Sequence, residues 1–328
     1  MGITIDGDEI SAITIDGEEV QEVTVDGEVA WVAYTPYVYS ASIDNEVHKI
    51  DPDGNNVWTY TGHSDYVEDV AVDRDEYVYS VARDNEVHKI DPDGNNVWTY
   101  TGHSGSVRAV AVDINGYVYS ASSDEEVHKI DPNGNNVWTY TELEDSAQAV
   151  AVDINGYVYS AEDGWGGDVH KIDSNGNNVW TYGEHSEGIQ YIAVDMDGYV
   201  YSVEGGFGQG DVHKIDPNGN NVWTYGEYDD IIQAVAVDKN GYVYFGGFTN
   251  EVHKADSDGS NVWKYKGHDS GIQAVSVDMD GYVYSASSDE EVHKIDPNGN
   301  NVWTYTGHSG NVLGVAAAPG TVGAGHWD

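Results

Sequence analysis

The tetrapeptide Val-His-Lys-(Ile/Ala) occurs seven times after residue 36, with its histidine at 48, 88, 128, 170, 213, 253 and 293. The spacings are 40, 40, 42, 43, 40 and 40, and a tryptophan follows each histidine ten residues later, from Trp58 to Trp303. Self-similarity at such a period limits a chain to stacked or ringed repeats of one supersecondary unit. One complete unit, VRAVAVD-ING-YVYSAS-SDE-EVHKID-PNGN-NVWTYT, spans residues 107–141. It holds four apolar-rich runs separated by Asn-Gly, Asp-Glu and Pro-Asn-Gly turn signals.

Four short strands in about 40 residues make a propeller blade, whereas a β-solenoid needs shorter units and a helical repeat needs a 3.6-residue period. The chain ends give a second argument. The first unit begins at Tyr37 with the second strand, and residues 312–317 (VLGVAA) repeat the innermost strand alone. That terminal strand is expected to complete the first blade and remove the open edge. The fold class read from the sequence is therefore all-β: a seven-bladed β-propeller of four-stranded blades over residues 36–328, closed by the C-terminal strand and preceded by a small N-terminal β-meander over residues 1–35.

That leader carries a ten-residue repeat, ITIDGDEISA, ITIDGEEVQE, VTVDGEVAWV. Each Asp-Gly, at 6–7, 16–17 and 26–27, is a two-residue hairpin signal. The apolar alternation slips near Ser11–Ala12 and Gln21–Glu22, which predicts bulges or a bend. Such a sheet is too small to bury its own core and needs something to pack on.

Composition excludes several classes. With 13 Lys+Arg against 58 Asp+Glu the net charge is −45, so phosphate-contacting nucleic-acid binding is not expected. Seven of the ten lysines belong to the repeat and cannot gather into a patch. Yet 39% of the residues are hydrophobic, too many for a disordered acidic tail. Self-repulsion on this scale suits surroundings of about 1 M salt, where the Debye length is about 3 Å, so the source is expected to be a halophile or a virus of one. There is no cysteine, no apolar run of membrane-spanning length and no basic-then-apolar signal peptide at MGITIDGDEI.

The residues AVDINGYVYSASSDEEVHKIDPNGNNVW resemble an NHL-type repeat, the Gly-His before the inner strands resembles WD-repeat proteins, and VWTY is similar to the tryptophan position of PQQ-type propellers. The resemblance covers residues 37–318. From the WD-repeat likeness, His63 is expected to bond Ser80 and Asp84, His103 to bond Ser120 and Asp124, and His268 to bond Ser285 and Asp289. His308 is expected to reach Ser40 and Asp44 across the closure, and His185 stands at the same place in a Glu-His pair. The leader resembles the Asp-Gly hairpin leaders of tailed-phage and haloarchaeal-virus tail proteins. That likeness implies a structural virion protein (tail fibre, baseplate or capsid projection) anchored and oligomerised through residues 1–35 to other virion proteins. The alternative is a cellular or secreted halophilic scaffold binding a protein partner or small ligand.

No metal, cofactor or enzymatic activity is expected. The Val-His-Lys histidines are spread one per blade, while zinc needs three or four ligands that converge. The Asp-rich turns match β-turn chemistry better than a calcium loop. No nucleophile elbow or phosphate loop is present. The strongest signal is where the repeat breaks. Blade 4 has EDGWGGD, blade 5 EGGFGQGD and blade 6 FGGFTNE between the second and third strands, and blades 4 and 6 carry ELED (142–145) and EYDD (227–230) in place of Gly-His. Both kinds of connection lie at one end of a propeller. Trp165, Phe207, Phe248 and Tyr228, with Glu142, Asp163 and Glu204, are thus the expected binding residues for a host-surface protein or glycan, at a virion surface.

Overall fold

Each run of Val, Tyr, Ile and Trp in the repeat becomes a strand because its flanking turns close on themselves. After Val107–Val112, Asp113 accepts the N–H groups of Asn115 and Tyr117 and the Tyr119 phenol. Before Asn56–Tyr60, Asp51 accepts the N–H groups of Asp53 and Asn55 and the Asn55 side-chain amide. The carboxylates of both Asp-rich turns are thus engaged by their own backbone.

The computed structural model describes residues 36–205, 210–228 and 231–318, and the leader strands Thr14–Ile15, Glu18–Glu19, Glu22–Val25 and Glu28–Val32. Of the expected binding residues, Phe207 and the side chain of Tyr228 lie outside the described part. So do the Asp-Gly pairs of the leader. Residues 1–36 and 37–328 form two units. Within the first, the described strands make two antiparallel hairpins, the second carrying a bulge between Val23 and Thr24.

The second unit is a seven-bladed β-propeller. Blade 1 consists, from the axis outward, of Val312–Ala317, Val38–Ser42, Val47–Ile50 and Asn56–Tyr60. Blades 2 to 7 begin with the inner strands Val67–Val72, Val107–Val112, Ala147–Val152, Ile189–Val194, Ile232–Val237 and Ile272–Val277. The seven inner strands neighbour one another in a closed cycle. The C-terminal strand pairs as its sequence predicts, with Val315 opposite Ser40 and Ala317 opposite Val38, so the ring is shut by chain ends that are far apart in sequence.

Two belts join the blades. In the outer belt the Trp58 indole N–H donates to the Pro92 carbonyl of the next blade at 2.9 Å, and Trp303 closes the cycle on Pro52 at 3.0 Å. Gly54, at φ 86°, lies where a Cβ would meet the Trp303 ring at 3.1 Å, so the turn needs glycine both for its backbone and for the ring above it. In the second belt an outermost-strand tyrosine bonds the Val-His-Lys histidine of the next blade, as Tyr60 does with His88 at 2.7 Å and Tyr100 with His128 at 2.6 Å. The repeat lysines are spent inside the fold, Lys49 lying 4.1 Å from the Tyr37 ring centre. Among the described residues no helix is long and apolar enough to cross a membrane.

Candidate functional site

Every inner strand carries a bulge at its second residue, between Val67 and Asp69, Val107 and Ala109, Ala147 and Ala149, and so on to Val312 and Gly314. A bulge re-aims the extra side chain. The seven bulge residues, Glu68, Arg108, Gln148, Gln190, Gln233, Gln273 and Leu313, converge on one axial well of about 90 Å³, with Asp69 and Tyr191 among its walls. Gln273 donates to Gln233 at 2.9 Å, and Glu68 takes the Arg83 and Arg108 guanidinium groups. Burial pushes the Asp69 carboxyl up to about 7, against the lowering effect of N–H bonds from Val110 and Val70. Burial likewise raises the Tyr191 phenol. The well therefore offers amide donors and acceptors, one ion-paired carboxylate and a carboxyl that gives up its proton only around neutrality. Such a set suits a hydroxyl- or amide-bearing group.

The well opens at the end where each fourth strand crosses to the next blade, the end that carries the histidine network. That network is formed as expected. His63 bonds Ser80 at 2.8 Å and Asp84 at 3.0 Å, and His103, His268 and His308 repeat the pattern on Ser120 and Asp124, Ser285 and Asp289, and Ser40 and Asp44. Each ring also stacks on the Val-His-Lys histidine of its blade, His63 on His88 at 3.9 Å. Burial raises the Asp44 carboxyl, but bonds from His308 and the Ser309 N–H outweigh it and hold it at about 2.

Blades 4 to 6 break this network. In blade 4, Leu143 is buried where the histidine would be. In blade 6, Phe245 replaces the serine and stacks on His253 at 5.1 Å. The side chains freed from the repeat go outward: Trp165 is 88% exposed and Phe248 50%. Glu142 and Asp163 are also exposed. Asp163 accepts a hydrogen bond from Gln190 at 3.0 Å, which ties the blade 4 loop to the axial well. Trp165 and Phe248 stand on blades separated by blade 5, at the same end of the ring.

Glu204 corrects the sequence reading. It was expected among the surface carboxylates, but it closes the strand Val200–Glu204 and is only 2% exposed. There it accepts the Ser186 hydroxyl at 2.8 Å and lies 2.9 Å from His213 Nε2. The axial ring was missed in the sequence, although one signal was present: the second residue of each otherwise apolar inner strand is polar in six of seven copies.

The family described as outer membrane protein assembly factor BamB, of PQQ type, matches residues 6–164 and 208–324. The unmatched interval begins at Trp165 and ends at Phe207. No curated protein matches the chain.

Proposed function

From the premise that the chain belongs to the PQQ-type propeller family of outer membrane protein assembly factor BamB, we propose that it is a non-catalytic recognition ring, binding its partner with the end that holds the axial well and the divergent loops. One observation carries this reading: Trp165 stands 88% exposed in the glycine-rich loop of blade 4. An indole held in water gains nothing for folding, and tryptophan is enriched where binding energy concentrates. Asp163, two residues away, reaches the well through Gln190, so the loop and the well form one contact surface. The aromatic faces, carboxylates and amides together fit a sugar surface, which offers C–H faces and hydroxyl groups.

The setting that the net charge of −45 and the hairpin leader support is the exterior of a virion infecting a halophilic host. In that reading residues 1–35 anchor the chain to other virion proteins, as a homo-oligomer, and the ring meets a host surface protein or glycan. The family's description as an assembly factor favours a second reading, a cellular or secreted scaffold that holds a protein partner.

The test is retention of the full chain, at high salt, on haloarchaeal envelope glycans and, separately, on envelope proteins. Trp165→Ala and Phe248→Ala are expected to lower retention about tenfold or more, the effect of losing about 1.4 kcal/mol. Retention on glycan supports attachment and retention on a single protein supports the scaffold. Unchanged retention in both variants ends the recognition reading for these loops. Deleting residues 1–35 is expected to turn an oligomer into a monomer, and a full chain already monomeric at high salt removes the anchoring role.

A further inference from the structure

In the regular blades all four ring nitrogens of the two stacked histidines are used. In blade 1, His308 bonds Ser40 and Asp44, while His48 bonds Glu46 and Tyr305. The rings lie 4.0 Å apart and 15° from parallel, which leaves no space between them. Blade 5 differs. His185 and His213 are separated by 4.6 Å and tilted by 53°. His185 Nε2 keeps its serine, Ser202, at 2.8 Å, and His213 Nε2 lies 2.9 Å from Glu204, but His185 Nδ1 has no side-chain partner. His185 is only 6% exposed, so water does not readily replace the partner its Nδ1 lacks.

The cause is a paired exchange in the sequence. The glutamate that precedes the Val-His-Lys histidine by two residues, Glu86 in blade 2, is Asp211 here, one methylene too short to do what Glu86 does at 2.9 Å from His88. A new carboxylate, Glu204, enters from the second strand instead. Blade 4 shows the same exchange with Glu162 and Asp168, but its upper histidine is Leu143. Blade 5 alone therefore joins two histidines to the exchanged carboxylates.

We propose that blade 5 binds one divalent transition-metal ion of zinc type through His185 Nδ1, His213 Nε2 and the Glu204 carboxylate. Their donor atoms lie within 4.8 Å of one another. Bonds of about 2.0–2.2 Å to a tetrahedral ion need donors roughly 3.4 Å apart, a contraction that side-chain rotation can supply. The outer partners suit the role. Ser202 holds His185 Nε2, Tyr182 lies 3.2 Å from His213 Nδ1, and the Ser186 hydroxyl orients Glu204. Partners of this kind fix tautomer and ring orientation in metal sites. Asp211 stands close enough for the charges of Glu204 and His213 to act on it. Since Glu204 and His213 stand on either side of the divergent loop of blade 5, the ion would pin both roots of that loop.

The experiment uses the full chain without a tag, freed of metal by chelation and titrated with cobalt(II) at high salt. Ligand-field absorption reports nitrogen ligation, and calorimetry gives the stoichiometry. One equivalent with a saturable band is expected. His185→Leu, which copies blade 4, and Glu204→Gln are each expected to weaken binding at least tenfold while circular dichroism stays that of the ring. His308→Leu, in the matching place of blade 1, is expected to leave binding unchanged. A titration without a saturable band overturns the proposal. So does one in which His185→Leu binds as the wild type, or in which His308→Leu loses binding equally. Should Glu204→Gln not fold, His185→Leu alone decides.

Discussion

The inner-strand position after the bulge is alanine or glycine in blades 1, 3, 4, 6 and 7, yet it is Asp69 in blade 2. Asp69 is fully inside the ring, with one carboxyl oxygen taking the Val70 N–H at 2.8 Å and the other the Val110 N–H of the next blade at 3.0 Å. Two amides do not offset the loss of water, and the carboxyl is raised from 3.8 to about 7. The folded protein thus keeps a proton that the unfolded chain releases near pH 4. Its contribution to stability is full below that value and is lost as pH rises through about 7. Three units at 1.36 kcal/mol each set the loss at about 4 kcal/mol, an upper figure that relaxation around the site will reduce. Asp69→Asn keeps the shape and cannot ionise. The stability of Asp69→Asn relative to wild type should therefore climb by a few kcal/mol between pH 4 and 7 and then level. Urea unfolding at a series of pH values, in constant high salt so that the overall repulsion is equally screened, measures this difference. Two stability curves that stay parallel within about 0.5 kcal/mol across the window would refute an ionisable burden at the axis.

His308→Ala leaves Ser40 and Asp44 buried without their partner and should destabilise by about 2–4 kcal/mol in denaturant unfolding. The loss should shrink in acid, because a carboxyl held at about 2 contributes stability above pH 4 that disappears as pH falls through 2. Trp303→Phe removes the bond to Pro52 and part of the ring and should cost about 1–2 kcal/mol, while Trp303→Ala also empties the space over Gly54 and should cost about 3 kcal/mol by the same measurement. Ending the chain before Val312 leaves Val38–Ser42 as an open edge, and light scattering should then show association that the full chain does not.

The ring was legible because its signals recur. The offsets of 17 and 21 residues that bring His63 to Ser80 and Asp84 hold again at His103 and His268, and the same pairing runs through the chain ends at His308. The axial well was hidden by the same regularity. Its bulge is in all seven copies, so no copy stands out as having an extra residue, and Gln148 or Gln233 reads as the solvent-facing member of an alternating strand. Glu204 was misplaced for another reason: a glutamate beside two glycines reads as loop, although strand alternation puts it on the face of Ser202, which bonds His185. Departures from a repeat cannot be placed by the repeat. Asp69, Tyr191, Leu143, Phe245 and the loops around Trp165 and Phe248 each replace something that six or fewer blades share, and the packing around each, not its place in the repeat, decides whether it turns inward or outward. The interval that the family match leaves out holds both His185 and Glu204. Residues that agree with the repeat close the ring, and what is particular to this chain is concentrated where that agreement stops.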